Sequence, residues 1–263
     1  MYVLRKVLKM SIKETFKEDG YCVIRNGINI NLVNEANAAI DNFKKSNFEL
    51  LKKNDLLVDN DMLQRVVNLH LSVIPLKTIF LEAMNSSSEI CDAYGEATLY
   101  TSLFFELGSQ QSLHRDTPYF YSGQDKPGYM GVWVALDDVD EHNGPLHVIK
   151  SSHKIGEPNL NELKNRFHPD EDVPASSTPL FNAYNQELIN IAKQKGLNIE
   201  LVKVKKGDII IWDPSTLHGG MPHNDKSRSR RSFVIHITPE NMPMKNMDYF
   251  FHKEKKIEAI NNV

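Results

Sequence analysis

Gln110-Gln-Ser-Leu-His114-Arg-Asp116-Thr-Pro-Tyr-Phe120 is the stretch on which the reading of this chain turns. Side chains on an extended segment alternate between faces, so a His-x-Asp pair sends its imidazole and its carboxylate the same way. The partner they need lies far downstream, in Trp212-Asp-Pro-Ser-Thr-Leu-His218-Gly-Gly220. Two imidazoles and one carboxylate can hold a first-row metal from one side and leave its other positions open. Bringing such distant residues together calls for a folded-back β scaffold. His-x-Asp alone is more often a hydrogen-bonded surface pair. What lifts it here is the order of features: His-x-Asp, strands, a second His, then the basic group Arg228, Arg230 and Arg231.

Outward from this stretch, the texture is that of strands. Ala97 to Leu107 is rich in β-branched and aromatic residues and stops at Gly108. Tyr129 to Val139 reads as a strand, Asn143-Gly144 as a turn, and Leu146 to Ile149 as a further strand. Glu200–Val204, Asp208–Trp212 and Arg230–Thr238 follow. Between them, residues 155–180 read as a loop and Gln186–Lys195 as a helix ending at Gly196. Short strands divided by turn signals fit a jelly roll. Upstream, residues 11–19 form a short helix stopped by Gly20, and Tyr21–Ile24 a strand. Asn31 to about Lys53 is amphipathic, with Val33, Ala36, Ile40 and Phe43 at helical spacing. A helix from Pro75 to Met84 completes a layer suited to cover the outer face of a sheet. The expectation is a mainly β domain with flanking helices, a double-stranded β-helix of cupin-like form. Helices at about 11–95 pack on a core at about 97–240, with an insertion at about 155–195 near the site mouth.

Composition narrows the function. The 263 residues suit one large domain, and no repeat or low-complexity linker divides them. A net charge of −3 and the lack of a basic stripe speak against nucleic acid. No apolar run approaches the ~20 residues of a membrane span. Two cysteines, Cys22 and Cys91, make no disulfide framework, which points to a reducing, cytoplasmic setting. The first nine residues are basic and lack a signal-peptide core, and Met10 is a second candidate start. A small molecule is the expected partner, with the chain a monomer or homodimer.

At this point the chain resembles the phytanoyl-CoA dioxygenase family of Fe(II)/2-oxoglutarate oxygenases. The runs that carry the resemblance are Ser112-Leu-His114-Arg-Asp116-Thr-Pro-Tyr-Phe and Val132-Trp133-Val-Ala-Leu-Asp-Asp-Val-Asp140. With them go Asn143-Gly-Pro-Leu-His-Val-Ile-Lys-Ser-Ser-His-Lys154, Lys206-Gly-Asp-Ile-Ile-Ile-Trp-Asp213, Leu217-His218-Gly-Gly220 and Arg230-Arg-Ser-Phe-Val-Ile-His-Ile237. They stand in the family's order across roughly residues 15–240. The resemblance implies Fe(II) held by His114, Asp116 and His218. It implies 2-oxoglutarate and O2 as co-substrates, with succinate and CO2 as products. Trp133 matches a tryptophan that lines the co-substrate pocket. The family's arginine for the far carboxylate aligns with Arg230, and a planar guanidinium suits that task. Strand alternation agrees. Arg230, Ser232, Val234 and His236 share a more polar face, while Arg231, Phe233, Ile235 and Ile237 share an apolar one. Where the family often has Ser two residues after the distal His, this chain has Gly220, and Ser232 is the candidate replacement.

Other residues carry blander expectations. Gln111 can reach the pocket. Arg115 alternates away from the ligand face, although its neighbour positions bring it near the site entrance. His147 and His236 are strand residues, His153 a structural residue at a strand end, and His223 an exposed turn residue. Tyr119, Phe120 and Tyr121 are wall and core or a substrate platform. Three other functions compete. A halogenase needs a small residue in place of Asp116. A Zn²⁺ hydrolase or cupin-type isomerase has no use for Arg230. A non-catalytic metal- or carbohydrate-binding jelly roll needs neither an open triad nor the arginine.

Overall fold

A computed structural model of the chain describes residues 10–91, 97–117, 130–167 and 179–239. Ser11 opens α1 (Ile12–Asp19) with a capping box: its hydroxyl accepts from the Glu14 N–H, and the Glu14 carboxylate accepts from the Ser11 N–H. Gly20 ends the helix in the left-handed region at φ 80°. No side chain fits there, because a Cβ would stand 2.3 Å from His153 Nδ1. β1 (Tyr21–Ile24) follows.

The long helix expected from Asn31 to Lys53 is two helices, α2 (Ile30–Ser46) and α3 (Phe48–Lys53). They meet at Asn47, whose side-chain amide and backbone N–H both donate to the Phe43 carbonyl. That local bond competes with helix continuation. Three short strands come next: β2 (Leu57–Val58), β3 (Met62–Leu63) and β4 (Val66–Val67). Then come α4 (Ile74–Ser86), with Pro75 in its first turn, and α5 (Ser88–Cys91).

The second half holds β5 (Ala97–Phe105), β6 (Met130–Ala135) and β7 (Leu146–Ile149), then α6 (Leu160–Phe167) and α7 (Pro179–Gln194). β8 (Ile199–Val202), β9 (Ile209–Trp212), β10 (His218–Gly220) and β11 (Ser232–Pro239) complete it. Two differences from expectation stand out here. The excursion read as loop contains α6, and α7 begins at Pro179 rather than Gln186. Leu180, Phe181, Tyr184, Leu188 and Ala192 bury one stripe of α7, and Leu160 and Leu163 of α6 pack against the same cluster.

Two antiparallel sheets face each other. The larger runs β1-β9-β6-β11-β5-β4 and the smaller β10-β7-β8. One core, with Val33, Ile40, Leu76, Ile79, Phe233 and Ile235, fills the space between the helices and the outer face of the large sheet. A second, with Trp133, Leu146, Val148, Val202, Ile210 and Val234, lies between the sheets. β11 therefore divides as its alternation requires, apolar Phe233 and Ile235 outward and Val234 inward. This is a jelly roll with flanking helices. Among the described residues no helix is long and apolar enough to cross a membrane.

Candidate metal centre

The segment bearing His114 and Asp116 is extended but is not a full strand. His114 makes one antiparallel bridge with His218, its N–H donating to the His218 carbonyl at 2.9 Å and its carbonyl accepting at 3.0 Å. The Asp116 N–H donates to the Pro214 carbonyl at 2.9 Å. These bonds lay the two halves of the site against each other. Potential ligand atoms of His114, Asp116 and His218 lie within 4.8 Å of one another, and all three residues are buried. Among the described residues this is the only such cluster of three His, Cys, Asp or Glu donors.

The imidazoles are oriented from behind. His114 Nδ1 bonds the Ser112 carbonyl at 2.8 Å, and His218 Nδ1 bonds the Thr216 carbonyl at 2.9 Å. A carbonyl only accepts, so each Nδ1 carries a proton, and in the neutral ring Nε2 is the lone-pair nitrogen. Both Nε2 atoms face Asp116, 3.5 Å and 3.6 Å from its two oxygens. The carboxylate is oriented too, accepting from Trp212 Nε1 at 2.9 Å. Trp212 lies across from Gly131, where any Cβ would come within 2.1 Å of the indole ring. Burial drives the His218 pKa down to about 4, so its imidazole is neutral at ordinary pH. Burial opposes charge on Asp116, but His218 and His114 outweigh it and hold the carboxyl well below the usual range. The cluster thus offers a carboxylate from Asp116 and a neutral imidazole from His218, donors of the kind a metal requires.

Arg230 is 1% exposed. Its Nε donates to the Gly144 carbonyl and its Nη1 to Ser232 Oγ, both at 3.0 Å, and the guanidinium lies 5.0 Å from the centre of the Trp133 ring. No carboxylate among the described residues pairs with it. Burial lowers its pKa to about 10, so it stays charged. Trp133 Nε1 is likewise buried without a hydrogen-bond partner among the described residues. The neighbouring arginines are committed elsewhere: Arg228 to Asp140 in an exposed turn, Arg231 to Glu106 and Asp41 on the helix side. The position of the missing serine, Gly220, is crowded, since a Cβ would stand 2.9 Å from Ser109 Oγ. Ser232 supplies the hydroxyl beside Arg230 instead.

Gln111 is exposed, and its carbonyl accepts from the Gly220 N–H at 2.8 Å. Arg115 corrects an expectation. It is fully buried rather than at an entrance, donating to the Ser152 and Ile155 carbonyls and to Glu157. His223 corrects another. It is buried, taking the Gly108 N–H on Nδ1 and bonding the Arg228 carbonyl through Nε2, which pins the turn. Tyr119, Phe120 and Tyr121 lie outside the described residues. Sequence reasoning missed Trp212 as the carboxylate's donor. Its signal was present: a tryptophan ends an apolar strand shortly before His218, and a buried indole N–H needs an acceptor.

A profile of the family described as Phytanoyl-CoA dioxygenase (PhyH) matches residues 16–232. Phytanoyl-CoA dioxygenase 1 of Oryza sativa subsp. japonica is 28% identical over 140 residues, which cover 50% of this chain and 40% of that protein. A match of 28% over 138 residues joins it to phytanoyl-CoA dioxygenase domain-containing protein 1 of Danio rerio, again covering 40% of the relative. The chain thus spans less than half the length of these relatives in the matched region. The crystal structure of EctD from S. alaskensis with 2-oxoglutarate and 5-hydroxyectoine shares the fold. Its TM-score is 0.63 at 18% identity, covering 94% of this chain and 82% of that one. The carbocyclase SnoK from nogalamycin biosynthesis shares it also, with a TM-score of 0.61 at 15% identity and coverage of 98% and 95%. All three residues of the metal cluster, and Arg230, fall inside the segment that the profile matches, and the chain belongs to the phytanoyl-CoA dioxygenase family.

Proposed function

We propose that this chain is an Fe(II)/2-oxoglutarate-dependent dioxygenase that hydroxylates, or otherwise oxidises, a C–H bond of a small molecule. The observation that carries the reading is Arg230, a buried cation with no carboxylate partner among the described residues, just before β11 and against Trp133 on the inner face of the sheet whose Trp212 orients Asp116. A permanent buried charge is costly unless a ligand completes it. A dicarboxylate bound at both ends, by a metal and by an arginine, fits that arrangement.

His114, Asp116 and His218 are the proposed metal ligands. Two nitrogens and one oxygen on one face suit Fe(II) and leave positions for other ligands. Bound Fe(II) supplies the redox chemistry that couples 2-oxoglutarate decarboxylation to insertion of one atom of O2 into a C–H bond. The chain's residues do the positioning. The Ser112 and Thr216 carbonyls fix the imidazole tautomers, and Trp212 fixes the carboxylate. Arg230 and Ser232 receive the far carboxylate of 2-oxoglutarate, with Trp133 as the wall beneath and its Nε1–H as a further donor. Overall, 2-oxoglutarate, O2 and R–H give succinate, CO2 and R–OH. Asp116 also bears on the outcome: it fills the position that a halide would need, which favours hydroxylation over halogenation.

The test is succinate release from 2-oxoglutarate under Fe(II) and O2. The expected result is release that needs all three and is lost in His218→Ala. Release that persists without Fe(II), or in that variant, would sink the reading.

A further inference from the structure

We infer that Asn185 of α7 is a positioning residue for the metal centre, holding the peptide between His114 and Asp116 where a neighbouring strand would otherwise hold it. This rests on the reading of those two residues, with His218, as metal ligands. The segment that carries them is paired along one edge. The His114 N–H and carbonyl bond His218, and the Asp116 N–H bonds the Pro214 carbonyl. Backbone groups of an extended segment point alternately to its two edges, so the Arg115 N–H faces the other way. Among the described residues no strand bridges the segment there. The Arg115 N–H donates instead to Asn185 Oδ1 at 3.0 Å, and both residues are buried. A buried N–H needs such an acceptor, and this one lies between two ligands in sequence.

The amide is itself held in place. Asn185 Nδ2 donates to the Phe181 carbonyl, one turn back on α7, at 3.0 Å. The donor end is thereby committed to the helix, and the acceptor end is left for Arg115. The helix is anchored against the ligand-bearing chain by its apolar stripe. Tyr184, Leu188 and Ala192 share a cluster with Leu217, and Leu113 packs against it. Leu217 and Leu113 are the residues immediately before His218 and His114. The Phe181 ring lies 6.4 Å from the His114 imidazole, centre to centre, and Tyr184 Oη lies 3.5 Å from Thr117 Oγ1.

A second tie closes the arrangement. The Arg115 guanidinium donates to the Ser152 and Ile155 carbonyls and to Glu157, and Glu157 accepts from Tyr184 Oη. The excursion between β7 and β8 therefore grips Arg115 by its backbone and by its side chain. His114 and Asp116 flank that residue, so a shift of its peptide moves two of the three ligands together. His218, bonded through its own backbone on β10, need not follow. A metal site demands well-set ligand distances, and an unequal shift of its donors spoils them. α7 thus does for the metal segment what a strand does in a sheet, through one side-chain amide.

The test titrates the metal-free protein with Fe(II) under anaerobic conditions, and with Co(II), whose visible ligand-field bands report donor geometry. Urea unfolding of each metal-free protein runs beside it. Asn185→Leu keeps the bulk but cannot accept. It should bind Fe(II) about tenfold more weakly and shift the Co(II) bands. Asn185→Asp still accepts and should restore the wild-type bands, a return that its added charge alone does not produce. Ile40→Ala, a core truncation in α2, should lose stability yet keep both affinity and bands. Should Asn185→Leu fail to fold, Asn185→Ala carries the same expectation. Wild-type affinity and bands in the Leu or Ala variant would overturn the assignment. So would an Asp variant whose bands match those of Leu, or an equal loss of affinity in Ile40→Ala. A wild-type protein that binds no metal, or binds it as tightly after His218→Ala, refutes the ligand assignment itself. Metal bound as expected with no succinate released refutes the oxygenase reading and leaves this inference standing.

Discussion

Three arginines within four positions, Arg228, Arg230 and Arg231, meet three different environments, and their substitution should separate accordingly. Removing a charge-assisted pair from a shielded pocket costs roughly 2–5 kcal/mol. At 1.4 kcal/mol per decade, Arg230→Ala should therefore raise the KM for 2-oxoglutarate about thirty-fold or more. Arg228→Ala should change it little, because an exposed pair such as Arg228–Asp140 contributes about 0–1 kcal/mol. Arg231→Ala should lower stability instead. Steady-state kinetics with 2-oxoglutarate varied decides it, and a large KM effect confined to Arg228 or Arg231 would contradict the assignment. Trp212→Phe tests the carboxylate's support. It removes the donor to Asp116 while keeping an aromatic ring, and Fe(II) affinity should fall about 10–100-fold. A titration showing unchanged affinity would make Trp212 mere packing. The faces of Arg230 and Arg231 were legible because strand alternation is a local rule. The burial of Arg115 and His223 was not, since each is secured by carbonyls or amides that sequence cannot place.

Elements are joined by one buried acid. Glu106, just past β5, accepts from Lys44 Nζ at 2.8 Å and the Leu63 N–H at 3.0 Å through Oε2, and from Arg231 Nη2 at 2.7 Å through Oε1. It thereby ties α2, β3 and β5 to the start of β11. Burial disfavours its charge, yet Lys44, the Leu63 N–H and Arg231 together hold its pKa down. Glu106→Ala would strand the Leu63 N–H, take Lys44's partner and leave Arg231 only the Asp41 carboxylate, and should cost about 3 kcal/mol, the low end of the penalty for breaking a buried pair from one side. Urea unfolding measures this, and a loss under 1 kcal/mol would show the network to be dispensable. Elements with a clear period were legible: α1, β1 and β7 fall where expected. The Asn47 break and the early start of α7 were not. In both, a single Asn or Pro had to be weighed against a hydrophobic period, and tertiary packing decided.

Across the whole molecule, the order of strands and turns made the jelly roll readable, while the pairing of β4 with β5 was not. Stability should also depend on pH through a residue outside the candidate metal cluster, His70, beside Phe233. His70 is 1% exposed, with Nδ1 bonded to Ser102 Oγ at 2.7 Å and Nε2 buried without a partner among the described residues. Burial, helped by Lys77, lowers its pKa to about 4. The unfolded chain takes up this proton near pH 6.5 and the folded chain only near 4, so stability falls as pH drops through that window. The group's full contribution is about 3 kcal/mol, and His70→Gln should flatten the dependence. Equal slopes for both proteins in urea unfolding between pH 7 and 5 would refute this. Arg230 has a last consequence. The carboxylate proposed to rest on it is untouched by decarboxylation, so succinate retains the same handle that 2-oxoglutarate offered. The arginine cannot tell spent co-substrate from fresh. Succinate should therefore inhibit competitively, and as it accumulates turnover should come to follow the ratio of the two acids around the enzyme.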